Sequence, residues 1–408
     1  MMDDKRKLEP QIRFRGFTDT WEKRKLGRLA EFSKGNGYSK GDLTPAGTPI
    51  ILYGRLYTKY ETVIEDVDTF VEMKDKSVVS NGGEVIVPSS GETAEDISRA
   101  SVVGKAGIIL GGDLNIVKPN SEIHPAFLAI AISNGNQQKE LSKRAQGKSV
   151  VHISNSDLKD VALQLPSLPE QTSIGNFFRT LDTTIALHKR KLDGLRKLKK
   201  AYLQQMFPQA GENVPRLRFR GFTGDWEQRK LGEVLIKNSE KNKEQTISNV
   251  ESVSNKFGFV KQDEYFEERK IASNDTSNYY VIRKGAFAYN PSRINVGSIA
   301  VKENDETSVV SPLYISFYTT EHLGIAFLWN WFKTSQFEKG RLFLTAGGVR
   351  DTLSYEALQE MYVTLPKISE QIAIGNFFRN LDEQITAQAK KLEHLKKLKS
   401  AYLQKMFV

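Results

Sequence analysis

Two similar α+β blocks, separated by two long, antiparallel, coiled-coil-like helices in a chain with an internal pseudo-two-fold, circular repeat, make up the fold class that this sequence predicts. Three observations predict it. A Leu- and Lys-rich stretch with helical spacing is written twice, its matching residues standing 200 apart as Pro166 and Pro366 do. A short motif ahead of each half is also written twice, 205 apart, as Arg13 and Arg218 are. Between the repeats lie two unlike stretches in which short β-branched runs alternate with turn residues.

The opening motif reads Arg13-Phe14-Arg15-Gly16-Phe17-Thr18, Trp21-Glu22 and Arg24-Lys25-Leu26-Gly27. It returns as Arg218-Phe219-Arg220-Gly221-Phe222-Thr223, Trp226-Glu227 and Arg229-Lys230-Leu231-Gly232. The chain therefore parses into an opening motif over 1–26, a block over 27–165 and a central helix with its linker over 166–215, then a second opening motif over 216–231, a second block over 232–365 and a distal helix over 366–408. A circular arrangement of these parts brings Met1 near Val408.

Block one shows strand signals at Pro49 to Tyr53, Val63-Ile64, Val78-Val79, Glu84 to Val87, Ser101 to Val103, Gly107 to Leu110 and Leu114 to Val117. One helix-like piece, Pro125 to Arg144, follows, and then a turn, a short helix from Ser156 and a last strand up to Leu165. Block two repeats the order, with strands near Phe257 to Val260, Tyr279 to Ile282, Ala286 to Tyr289, Ser298 to Val301 and Tyr314 to Tyr318, and a helix near Leu323 to Gly340.

The helices carry Leu181, Ile185, Leu192, Leu195, Leu198, Tyr202 and Met206, matched by Leu381, Ile385, Leu392, Leu395, Leu398, Tyr402 and Met406. That three-and-four spacing is one apolar stripe. Leu-Pro ahead of Glu-Gln marks each start, because proline bars continuation from upstream and a glutamate suits the positive end of the helix dipole. From Glu170 to Met206 the helix would run roughly 55 Å at about 1.5 Å per residue. So narrow a stripe needs a partner helix, and the other copy supplies one.

No run of eighteen apolar residues and no secretory signal stands in the sequence, which reads as a cytoplasmic multidomain protein. Zero cysteines exclude thiol catalysis and cysteine metal sites, and the five histidines are isolated from one another. Lys plus Arg number 59 against 49 Asp plus Glu, a net charge of +10 that favours polyanionic partners. There is no Walker loop, no G-x-S-x-G elbow and no H-E-x-x-H. The acidic runs Glu92 to Asp96 and Asp263 to Glu268 read as solvated loops, and Asn290-Pro291 matches only the first two residues of an adenine-methyltransferase motif.

Polar loops with basic and aromatic residues remain. Each alone reads more readily as a surface turn, but two sets at matching places shift the balance toward recognition, since Arg, Asn and Gln read base edges while Lys and Ser hold phosphates. In block one the candidates are Lys34 and Tyr38, Arg55, Tyr57 and Lys59, Ser89 and Ser90, and Arg144, Gln146 and Lys148. In block two they are Ser254, Asn255 and Lys256, then Asn290, Ser292, Arg293 and Asn295, then Arg350 and Asp351.

With Leu165-Pro166, Glu170-Gln171, Ile174-Gly175-Asn176-Phe177-Phe178 and Leu181-Asp182 ahead of a Lys/Leu-rich tail, all repeated from Leu365, the chain resembles the specificity subunit of a type I restriction-modification enzyme. The likeness covers the whole length. It implies that each block is a target recognition domain reading one half of a split double-stranded DNA site, and that the helices set the gap. Half-sites one turn apart lie about 34 Å between centres, which such helices can bracket. It implies further that two methyltransferase subunits dock on the helices and opening motifs, with Phe177, Phe178, Leu181, Phe377, Phe378, Leu381, Trp21 and Trp226 as candidate contacts, and that restriction/translocase subunits join for cleavage. S-adenosylmethionine, ATP and Mg then belong to those partners, and this chain is a non-catalytic subunit that binds no cofactor. The loops Gly147 to Ser154 and Gly347 to Ser354 are implied DNA contacts. The competing reading is a self-contained methyltransferase or nuclease with an unrecognised site.

Overall fold

The computed structural model describes residues 10–145, 147, 150–209, 211–262, 275–345 and 352–407. The chain divides into two compact units: Met1–Lys191 with Ala389–Val408, and Leu192–Gln388. Each unit thus takes one block, the start of one long helix and the end of the other.

The long helices are Leu168–Gln205 and Ile368–Met406, each beginning ahead of the expected glutamate. In the first unit the start of one lies antiparallel to the end of the other: Phe177 stacks edge-on against Tyr402 at 5.2 Å, and Lys399 reaches Asp182 at 2.5 Å. The second unit repeats this with Tyr202 on Phe377 at 5.0 Å and Lys199 on Asp382 at 2.5 Å.

What the repeated motifs do becomes plain from their contacts. Arg13 grips Glu170 with two parallel bonds of 2.9 and 2.7 Å, and Arg218 grips Glu370 at 2.6 and 2.7 Å. Gln171 donates to the carbonyls of Pro166 and Glu122 and accepts from the His124 amide, so it ties the helix start to the block. Gln371 does the same with Pro366, His322 and Gly324. The Met-Phe ending of each helix is a plug. Phe207 sits among Trp226, Phe327 and Phe378, and Phe407 among Phe127 and Phe178, all buried. Ile12 donates to the Lys405 carbonyl at 3.1 Å, so the first opening motif closes onto the last helix as the circular arrangement requires; Met1 and Val408 themselves lie outside the described residues.

The glycine of Ile-Gly-Asn-Phe-Phe marks a close approach. A Cβ on Gly375 would stand 2.7 Å from the Ala326 Cβ, and one on Gly175 would stand 2.8 Å from the His124 ring. Gly375→Ala should therefore destabilise the second unit by about 1–3 kcal/mol through overpacking. Gly194→Ala, exposed in the same kind of helix with nothing within 4 Å, should stabilise by about 1 kcal/mol. Denaturant midpoints of the two variants moving in the same direction would refute this.

Block one is built on two five-stranded sheets. The first runs Ala30–Lys34, Leu114–Pro119, Val85–Pro88, Ser101–Val103, Val63–Ile64. The second runs Leu43–Thr44, Phe70–Val71, Thr48–Ile51, Ala106–Leu110, Val79–Asn81. Block two centres on four strands, Leu235–Lys237, Ile315–Thr319, Phe287–Tyr289 and Ile299–Val301. Each opening motif adds a strand that pairs antiparallel with the last strand of its own block, Glu22 opposite Leu165 and Glu227 opposite Leu365. The sequence missed both opening-motif strands because Glu-Lys-Arg-Lys and Glu-Gln-Arg-Lys carry no β signal of their own; pairing makes them strands.

The piece Pro125 to Arg144 is two helices, not one: Pro125–Ser133 and Gly135–Arg144. Asn134 is extended and Gly135 takes φ +68°, which breaks the ladder between a largely apolar segment and a charged one. Its block-two counterpart is likewise split, into Ile325–Trp331 and Ser335–Thr345.

Candidate nucleic-acid interface

In the first unit, side chains of the loops knit the loops together. Asn155 donates to the Ser33 carbonyl at 2.9 Å, joining the segment after Gly147 to the end of the strand that carries Lys34. His152 pairs with Ser90 in a short ladder, and the Ile153 amide donates to the Ser89 carbonyl. The Tyr57 hydroxyl donates to the Ser90 carbonyl, and burial pushes its phenol well above the ordinary value, so it stays a neutral donor. Asn36 donates to the Lys76 carbonyl at 3.1 Å, bringing in a lysine that the sequence reading passed over. Lys76 has φ +64°, a strained tip that only the fold reveals.

The second unit gathers three loops in the same way. Asn255 donates to the Val296 carbonyl at 3.2 Å, which ties the hairpin tip to the turn Pro291–Val296. The Leu353 amide donates to the Pro291 carbonyl at 3.2 Å, and Tyr289 donates to the Leu353 carbonyl. A cavity of about 310 Å³ beside these loops is lined by Pro291, Thr352, Ser354, Tyr280, Tyr314 and Tyr355 among others.

The predicted residues divide accordingly. Lys34 is exposed at its strand end, and Asn255, Lys256, Ser292, Arg293 and Asn295 are exposed on the gathered loops. Ser90, Ser254 and Asn290 are half-buried; the Ser254 hydroxyl accepts from the Lys256 amide, and Asn290 caps the turn through Ser292. Gln146, Lys148, Arg350 and Asp351 lie outside the described residues.

Other candidates are engaged by groups of their own chain. Arg55 is buried and held by Glu61 and Asp68, each at 2.7 Å, and by the Asp66 carbonyl, so it braces its own loop instead of reaching outward. Lys59 also pairs with Asp68, at 2.9 Å. Tyr38 packs on Ile50, Val71 and Ile109, and its hydroxyl accepts from the Lys74 amide. Ser89 is buried, and Arg144 pairs with Glu140 along its helix at 3.0 Å.

The eight candidate docking side chains are also spent internally. Trp21, Phe178, Leu181, Trp226, Phe378 and Leu381 are buried in the cores of their own units, and Phe177 and Phe377 pack against Phe14 and Phe219 at 5.6 and 5.8 Å. Phe177 and Phe377 are covered by the opening motifs and the opposite helix, through Phe14 and Tyr402 and through Phe219 and Tyr202. Glu92 to Asp96 forms a helix start capped by Thr93, and Asp263 to Glu268 lies outside the described residues. Among the described residues, no group of three or more His, Asp or Glu is placed to hold a metal, and no helix is long and apolar enough to cross a membrane.

A family model for the type I restriction modification DNA specificity domain matches residues 18–197 and again 223–397. The chain belongs to this family. The two matches span both blocks and most of both long helices. A type I restriction enzyme MjaVIII specificity subunit from Methanocaldococcus jannaschii is 21% identical over 347 residues, covering 81% of this chain and 79% of its own. Among solved structures, the type I restriction-modification S subunit from M. genitalium superposes with TM-score 0.63 at 17% identity, over 98% of this chain and 99% of that one. A chain from work on complex assembly and conformational transition in the type I R-M system gives TM-score 0.50 at 17% identity, over 96% and 98%. These likenesses establish the shared fold.

Proposed function

We propose that this chain is the DNA-recognition subunit of a type I restriction-modification complex. The first unit reads one half of a bipartite double-stranded site and the second unit reads the other. The observation that carries the reading is that both units gather polar and cationic loops at one place on the same scaffold, in a family matched twice along the chain. The chain is non-catalytic. Methyl transfer to adenine and ATP-dependent cleavage are the work of methyltransferase and restriction/translocase subunits, which supply S-adenosylmethionine, ATP and Mg chemistry in the cytoplasm. With Trp21, Phe178, Trp226 and Phe378 buried inside the fold, those partners dock on the exposed faces of the long helices, which carry Lys189, Arg190, Lys396 and Lys397.

Two measurements test this. Purified chain given S-adenosylmethionine and target duplex should leave the DNA unmethylated until the modification subunit is added; methylation by the chain alone would replace this reading with the self-contained enzyme. Sequencing of methylated sites in cells should show Arg293→Ala altering only the second half-site, by about tenfold in preference at one position. Changes spread over both halves would count against separate reading by the two units.

A further inference from the structure

The cavity of about 310 Å³ in the second unit is lined by a buried hydroxyl that the fold leaves without a partner. Three buried polar side chains line it: Asn238, Ser316 and Tyr355. Two of them are spent. The Asn238 amide donates to the Val281 carbonyl at 2.8 Å and to the Ser316 hydroxyl at 3.1 Å, and Ser316 donates to the Phe287 carbonyl at 2.9 Å. Tyr355 is only 3% exposed, yet its hydroxyl makes no hydrogen bond. A buried hydroxyl has given up its water on folding, so an unmatched one marks a place where a further donor or acceptor belongs.

The rest of the lining selects the kind of group. Tyr280 and Tyr314 add two more aromatic rings, and Pro291 and Pro312 add apolar edges. Among the described lining residues Lys237 is the one cation, and it pairs with Glu356 at 3.5 Å, so an anion finds no unmatched charge there. The volume stands at the small end of the roughly 300–1,000 Å³ of ligand pockets, which suits a single ring system better than a peptide. The cavity also touches both gathered loops, through Pro291 on one side and through exposed Thr352 and Ser354 on the other. An uncharged planar ring with hydrogen-bonding edges, presented beside loops that read DNA, is a nucleobase out of its stack. Such bases are held by aromatic faces and by bonds to the edge that pairing has vacated. We propose that this cavity takes one unpaired base of the second half-site, with the Tyr355 hydroxyl bonding its vacated edge. It is a different base from the adenine that receives the methyl group, which must reach the partner's S-adenosylmethionine. The proposal rests on the DNA-recognition function given above.

The test uses the full chain assembled with its modification subunits, and duplexes in which the pairing partner of each base in the second half-site is removed singly to leave an abasic position. Extruding a base that has lost its partner costs less, so at one position besides the methylated adenine binding should strengthen about tenfold. Tyr355→Phe keeps the ring and should melt no lower than the unaltered chain, yet bind that duplex about fivefold more weakly. Thr352→Trp, which crowds the rim, should abolish the strengthening. Its absence at every such position, or its survival undiminished in either variant, overturns the assignment while leaving DNA recognition standing. A lower melting transition in Tyr355→Phe would show that the fold itself uses the hydroxyl, and would overturn it too. Equal affinity of the unaltered complex for target and unrelated duplexes would overturn DNA recognition as well.

Discussion

Arg13→Ala is expected to cost the first unit about 3–5 kcal/mol and to lower its melting transition by roughly 10 °C. The reason lies in which partner is left behind. Glu170 is 1% exposed and Arg13 14%, so removing the arginine strands a carboxylate in the core, while Glu170→Ala leaves a guanidinium that water can reach. Glu170→Ala should therefore be the milder change. Arg13→Lys should fall between them, because a lysine keeps the charge but cannot make the two parallel bonds. Arg218→Ala should do to the second unit what Arg13→Ala does to the first, since Glu370 is equally buried. Calorimetry of the full chain, following the transition of each unit, measures this; a loss below about 1 kcal/mol in both would mean that the opening motifs do not secure the helix starts.

The second large effect is expected at Glu251. Its carboxylate accepts from the Lys302 ammonium at 2.6 Å and the Ser308 hydroxyl at 2.5 Å, with Glu251 and Lys302 only 3% and 2% exposed. Glu251→Ala leaves a buried, unpaired ammonium and should cost about 3–5 kcal/mol; Lys302→Met alone should cost a similar amount. The double change Glu251→Leu with Lys302→Met removes both charges and should restore much of the loss, because an apolar pair of similar volume often matches a buried ion pair. The double variant melting below both singles would contradict this account. Since Glu251 opens the hairpin that carries Asn255 and Lys256, the single changes should also disturb reading of the second half-site while the first remains intact.

Much of this organisation was legible because it is repeated. Pro166 to Phe207 and its copy announce two helices, and the arginine, glutamate, glutamine and glycine positions within the repeats turn out to be the points where helix, opening motif and block are fastened. Site residues were far less legible. Arg55 and Arg293 look equivalent as loop arginines, yet Arg55 meets Glu61 and Asp68 while Arg293 stands exposed on the turn after Asn290. Loop composition does not reveal which carboxylates fold back onto a given cation.

By itself, then, the sequence determined the doubled architecture, the extent and pairing partner of the long helices, and the family, since these follow from periodic spacing and motif order along the chain. The tertiary structure decided which apolar faces were already used, making Trp21, Phe178 and their copies core, and which loop residues meet, uniting Asn155 with Ser33 and Asn255 with Val296. Those outcomes depend on contacts between residues far apart in the chain, and local pattern carries no record of which distant group lies alongside.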